Sequence, residues 1–151
     1  MKVEIIPFVG FNEIMLGQTL GQIQKLLGHP DELESHDYSD NSNERVLIYH
    51  NLGLELSFSS EDNYRLGKIT FYSKDFTFSD IQIVGLNESE FILRLKSKYP
   101  DLTLDDDFSD LKSKDFSIDS LGVTVWLEEG VVESFTMYPK YLEDDSIEWP
   151  I

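Results

Sequence analysis

The sequence predicts an α+β fold of two tandem repeats, each a short helix (or helical hairpin) packed on an antiparallel meander, with the two sheets adjacent or continuous. Three observations carry this prediction. A helix with marked ends opens each half. Short runs of period-two alternation, separated by turn residues, follow each helix. The halves then match each other in order along the chain, at offsets of 66 to 70 residues.

The first helix lies in Leu16–Pro30, LGQTLGQIQKLLGHP. Thr19, with Gln22 three residues on, forms a capping box. Leu20, Ile23, Leu26 and Leu27 make an apolar stripe at i, i+3, i+6 and i+7. Gly28 suits the left-handed residue that ends a helix, and Pro30 blocks continuation. A helix of about ten residues is not stable alone and needs a sheet beneath its stripe.

Before it, residues 2–9 read as an entry strand, with Phe11–Leu16 leading into the helix. After it, Asp31–Glu44 is rich in Asp, Ser and Asn and reads as a loop, with a turn of helix near Glu32–Ser35. Arg45–His50 reads as a strand, Asn51-Leu52-Gly53 as a tight turn, and Leu54, Leu56 and Phe58 as one face of the next strand. Glu61–Arg65 is a polar loop, and Lys68–Ser73 is a further strand. Asp75–Val84 connects the halves and has strand content.

The pattern then restarts. Asn87 and Glu90 form a second capping signal, Phe91, Ile92, Leu95, Lys98 and Tyr99 follow at helical spacing, and Pro100 ends the helix. Asp101–Ser113 reads as a second polar stretch, containing the acid run Asp105–Asp107. Lys114–Asp119, Val123–Leu127 and Glu133–Tyr138 read as strands, before an acidic tail from Pro139 to Ile151. Gly17-Gln18-Thr19 matches Gly85-Leu86-Asn87, and Leu52-Gly53 matches Leu121-Gly122. Ile69-Thr70-Phe71-Tyr72 matches Phe135-Thr136-Met137-Tyr138. Long repeats of this kind point to a duplicated unit. The expected organisation is a single domain, 1–151, of two repeats, about 1–80 and 81–151.

LGQTLGQIQKLLGHP resembles the helix start of the small helix-on-sheet units in outer-membrane assembly lipoproteins of the SmpA/OmlA type. The duplicated arrangement resembles the beta-lactamase inhibitory protein family. That resemblance implies two units side by side, one continuous antiparallel sheet, and a sheet face that grips a partner enzyme. The chain departs from both groups in having no lipobox and no cysteine. Small acidic domains of this sort are also similar to bacterial immunity proteins, which neutralise a toxin.

Composition narrows the partners. There are 29 acids against 12 bases, a formal charge of −17. Such a chain repels nucleic acid and draws in a basic protein. The lack of cysteine excludes disulfides and thiolate metal sites and suits a reducing compartment. MKVEIIPFVGF, with Glu4 and Pro7 inside its apolar part, does not read as an export signal, and no apolar run reaches the roughly 18 residues of a membrane helix. A cytoplasmic, bacterial protein is the expectation.

No catalytic constellation stands out: there is no G-x-S-x-G, no H-E-x-x-H and no phosphate-binding glycine loop. His29, His36 and His50 read as ordinary polar residues of loops and strand ends. Asp37–Glu44 fails as a calcium loop, with Ser42 where Gly is needed and Ile48 where the bidentate Glu is needed. No metal and no cofactor are expected.

Strand alternation puts Leu54, Leu56, Phe58, Ile69, Phe71, Val123, Val125, Leu127, Phe135 and Met137 toward the helices. The opposite face then carries Glu55, Ser57, Thr70, Tyr72, Thr124, Trp126, Thr136 and Tyr138, joined by Tyr49 from RVLIYH. An outward tryptophan among tyrosines and acids has the composition of a protein-binding hot spot. The expected partner-binding residues are Tyr49, Glu55, Tyr72, Trp126 and Tyr138, with Asp105, Asp106 and Asp107. The functional expectation is a non-enzymatic inhibitor or immunity protein that occludes a basic enzyme such as a nuclease toxin. The rivals are a small-ligand-binding or enzymatic domain using the open sheet, and a subunit that dimerises through it.

Overall fold

The computed structural model describes residues 2–150, so Ile151 at the end of the predicted tail lies outside the described residues. The chain enters through β1 (Val3–Glu4) and a hairpin of β2 (Gly10–Phe11) and β3 (Ile14–Met15), then forms α1 (Leu20–Leu27). Four strands follow: β4 (Glu32–Asp37), β5 (Asn43–Tyr49), β6 (Leu54–Ser59) and β7 (Leu66–Phe71). The connector holds β8 (Phe76–Phe78) and β9 (Ile81–Gln82), and α2 spans Glu88–Lys98. Four more strands come next: β10 (Thr103–Phe108), β11 (Ser113–Ile118), β12 (Val123–Glu128) and β13 (Val131–Met137). A short hairpin, β14 (Lys140–Tyr141) and β15 (Ile147–Glu148), ends the described chain.

Both helix starts follow from their caps. The Thr19 hydroxyl accepts from the Gln22 N–H at 3.2 Å, and the Gln22 side chain accepts from the Thr19 N–H at 2.9 Å. The Asn87 side chain accepts from the Glu90 N–H at 2.9 Å. Each bond satisfies an orphan donor of the first turn. Gly28 ends α1 at φ +83°, where a residue without Cβ is favoured. Ile23 is fully buried, but Leu26 stays 42% exposed. Leu20 and Leu27 fall on one side of Ile23 around the helix and Leu26 on the other, so the stripe is narrower than predicted.

The long strands form one antiparallel sheet of eight, in the order β10-β11-β12-β13-β7-β6-β5-β4. Each group of four is a meander, and the groups join where β13 pairs with β7. Hydrogen bonds recur at matching places. Tyr72 N–H donates to the Gly53 carbonyl, and Tyr138 N–H to the Gly122 carbonyl, both at 2.8 Å. Gly17 N–H donates to the Leu66 carbonyl, and Gly85 N–H to the Val132 carbonyl, both at 2.9 Å. Gly53 and Gly122 hold φ of +66° and +65° at the ends of equivalent turns.

One sheet face meets the helices. All ten residues assigned to that face from alternation are buried. Phe71 stacks on Phe135 across the β7–β13 seam with centroids 4.8 Å apart, and Phe91 of α2 sits edge-on to Phe116 at 5.3 Å. Full burial of each such ring contributes about 2–3 kcal/mol. The buried apolar cluster is continuous and draws on both halves.

Three readings need correction. Asp31–Glu44 and Asp101–Ser113 are not simply loops, because they contain β4 and β10. Both are edge strands, exposed at every residue, so no apolar alternation marks them. The turn of helix near Glu32–Ser35 does not form. The entry strand shrinks to Val3–Glu4, which pairs in parallel with β8. Past Ile5 the chain closes a tight loop, with Ile6 N–H donating to the Gly10 carbonyl at 2.8 Å. Phe8, at φ +65°, leaves extended geometry there.

Candidate functional site

The sheet face opposite the helices is assembled row by row from strand pairing. Its central row runs Glu32, Ile48, Glu55, Thr70, Thr136, Thr124, Ser117, Thr103, one residue from each strand. On one side of it lie Asp106, Asp115, Trp126 and Ser134, with Tyr72 just past the Phe71–Phe135 pair. On the other side lie Glu34, Val46, Ser57 and Lys68, with Tyr138 just past the Met137–Ile69 pair. Tyr72 and Tyr138 therefore occupy equivalent places, about 13 Å apart along the strand direction.

Trp126 stands on this face as predicted. Its indole N–H donates to the Glu128 carboxylate at 2.7 Å, and its ring meets Phe108 with centroids 5.8 Å apart. Phe108 is 40% exposed. It was missed in sequence because it lies within Asp101–Ser113, a stretch read as a loop. A bulge between Leu104 and Asp106 then shifts the strand's parity, bringing Phe108 to the tryptophan's side. Glu55, Tyr72 and Tyr138 also lie here. Burial, followed by the charge of the Glu55 carboxylate, pushes the Tyr72 hydroxyl up to about 12, with Glu133 adding to it.

Tyr49 is a correction. It pairs with Leu54 on the helix side, is 5% exposed, and its hydroxyl donates to the Gly28 carbonyl at 2.8 Å. Within RVLIYH, Val46 and Ile48 take the open face instead, and both are largely shielded. An apolar run gives no parity, so its direction had to come from register.

The acid run divides. Asp105 accepts from the Ser117 hydroxyl at 3.2 Å, and Asp106 lies opposite Asp115, so both lean to the open face. Asp107 lies opposite Lys114, which reaches Glu88 of α2 at 2.7 Å on the helix side. Burial raises the Asp115 pKa, and the charges of Asp105 and Asp106 raise it further. Among the described residues no group of three His, Asp or Glu side chains stands close enough to hold a metal ion.

The face is acidic overall. Glu32, Glu34, Glu44, Glu55, Asp106, Asp115 and Glu128 belong to it by register. Its basic residues among these strands are Lys68, 3.7 Å from Glu44, and His36, 3.3 Å from Glu34. Glu32, Glu34, Glu55 and Tyr72 border a hollow of about 340 Å³. The terminal hairpin reaches the Tyr138 end, where Tyr141 borders a smaller hollow with Lys68 and Ser57. Trp149 packs against the core, with the Arg65 guanidinium 5.3 Å from its ring. No helix among the described residues is long and apolar enough to cross a membrane. The chain matches no protein-family model, no curated protein and no solved structure.

Proposed function

We propose that this chain is a non-enzymatic, acidic protein-binding module, an inhibitor or immunity protein that occludes a basic partner enzyme such as a nuclease toxin in the cytoplasm. The observation that carries the reading is the open sheet face. It sets Trp126, Phe108 and Tyr72 among carboxylates, and its basic residues, Lys68 and His36, are already beside Glu44 and Glu34. Aromatic anchors supply desolvated contact, while the surrounding carboxylates receive Lys and Arg and speed encounter. In this reading the chain is two copies of one helix-and-meander unit, supported by the matched bonds at Gly53 and Gly122 and by the strand order. Pairing the copies through their last strands makes a sheet wide enough to cover an enzyme's active-site cleft.

The test is capture from the source cell's lysate with the wild type and with a Trp126→Ala, Tyr72→Ala double variant. The expected result is a basic protein retained by the wild type, lost with the folded double variant, and inhibited in its own activity by the wild type. Association should slow steeply as salt rises. Equal retention by both forms, or a retained protein whose activity is unaffected, overturns the reading.

A further inference from the structure

The free edge of β4 is the feature of the sheet that the open face does not use. The hairpin bond from Tyr38 N–H to the Ser42 carbonyl, at 2.9 Å, fixes which residues of β4 point their backbone inward. With the register Glu32↔Ile48 to Asp37↔Asn43, these are Glu32, Glu34 and His36. Leu33, Ser35 and Asp37 therefore direct their N–H and C=O groups away from the sheet. The edge is regular over all six residues, with no bulge and no proline. The opposite edge, β10, carries a bulge between Leu104 and Asp106, a usual device against strand addition.

Side-chain chemistry selects the occupant. Glu32 and Glu34 stand on the open face of β4, about half exposed, their carboxylates paired among the described residues only with the His50 ring at 2.7 Å and the His36 ring at 3.3 Å, and Leu33, 57% exposed, stands on the helix side. A second antiparallel copy of this edge either pairs Leu33 with itself and sets Glu32 against Glu34, or sets Leu33 against Ser35 or Asp37, so no register satisfies both faces. An extended segment that alternates basic and apolar residues fits both sides at once. Its basic residues meet Glu32 and Glu34, and its apolar residues cover Leu33.

We propose that β4 is a docking edge for an extended, alternating basic and apolar segment of the partner protein, which joins the sheet as a ninth strand. This rests on the reading of the partner as a basic protein, and it adds a contact distinct from Trp126.

The test measures binding of a labelled, amidated peptide of alternating lysine and valine. Controls are the same residues in two blocks, and the alternating peptide with N-methyl groups on its pairing edge. The protein is compared with Ser35→Pro, which removes an outward N–H and leaves the β5 bonds intact, and with Trp126→Ala. The alternating peptide should bind the wild type and Trp126→Ala equally, and should lose about tenfold or more through Ser35→Pro or N-methylation. Binding of the block peptide as tightly, full affinity in folded Ser35→Pro, or no binding overturns the docking edge. Should Ser35→Pro fail to fold, equal affinity of the N-methylated peptide for the wild type overturns it in the same way. Peptide binding lost in Trp126→Ala also overturns it and places the basic segment on the open face, so the edge fails while the proposed function stands.

Discussion

Thr70 and Thr136 face each other at the seam between the two meanders, with their hydroxyl oxygens 3.0 Å apart. The bonds on either side make this a non-hydrogen-bonded pair, where opposed side chains come closest. The pairing also relates the halves. Thr136 aligns with Thr70 when Ile69–Tyr72 is matched to Phe135–Tyr138, and the flanking pairs, Phe71 with Phe135 and Ile69 with Met137, exchange aligned residues about this point. A local two-fold relation therefore passes between the threonines. It sends Tyr72 to one end of the open face and Tyr138 to the other.

The seam should be held chiefly by the rings beneath it. Phe135→Ala should destabilise the protein by about 3–5 kcal/mol, since it leaves a cavity against Phe71. Thr136→Val keeps the branched shape and removes one hydroxyl, and should cost about 0.2–1 kcal/mol. Denaturant unfolding of the two variants checks the order, and similar losses would contradict this picture.

Gly53 and Gly122 should resist substitution for two reasons at once. Each has positive φ, and an added Cβ would lie 2.8 Å from the Ser73 Cβ at Gly53, or 2.4 Å from the Phe8 ring at Gly122. Alanine at either should cost about 1–3 kcal/mol. Gly130, also at positive φ but with open space around it, should cost less. Thermal denaturation of the three alanine variants would settle the ranking.

Tyr72 should ionise late. Its pKa is raised from 10.0 to about 12 by burial first and by Glu55 second. The group is an acid whose folded value lies above its unfolded one. The stability linked to it is therefore complete below about 10 and is lost as pH rises through about 12. Tyrosinate absorbance should show a late component that vanishes in Tyr72→Phe. In Glu55→Gln that component should move down without reaching the ordinary value, because burial remains.

Asp115 should work against the fold at neutral pH. Burial and the neighbouring Asp105 and Asp106 raise its pKa, so its contribution is favourable when protonated and falls away as pH rises through the folded value. Asp106→Asn should therefore stabilise the protein at neutral pH, and the gain should shrink in acid. Unfolding curves at the two pH values test this, and a gain that grows in acid would reverse the assignment.

Sequence by itself determined the elements whose cause is local. Thr19 with Gln22 and Asn87 with Glu90 start the helices through bonds spanning three residues, and Gly28 ends the first through its own φ. Leu54–Phe58, Ile69–Phe71, Val123–Leu127 and Phe135–Met137 show their buried face by alternation, which is how Glu55, Tyr72, Trp126 and Tyr138 could be placed on the open face. Tertiary structure decided what has no local cause. The edge strands β4 and β10 owe their extended form to β5 and β11, and with both faces in water their side chains record nothing of it. Tyr49 lies in an apolar run whose parity only pairing with Leu54 fixes, and Asp107 parts from Asp105 and Asp106 because a bulge resets the register. The joining of β7 to β13, on which the width of the open face depends, is a contact across 66 residues, too distant for any local pattern to encode.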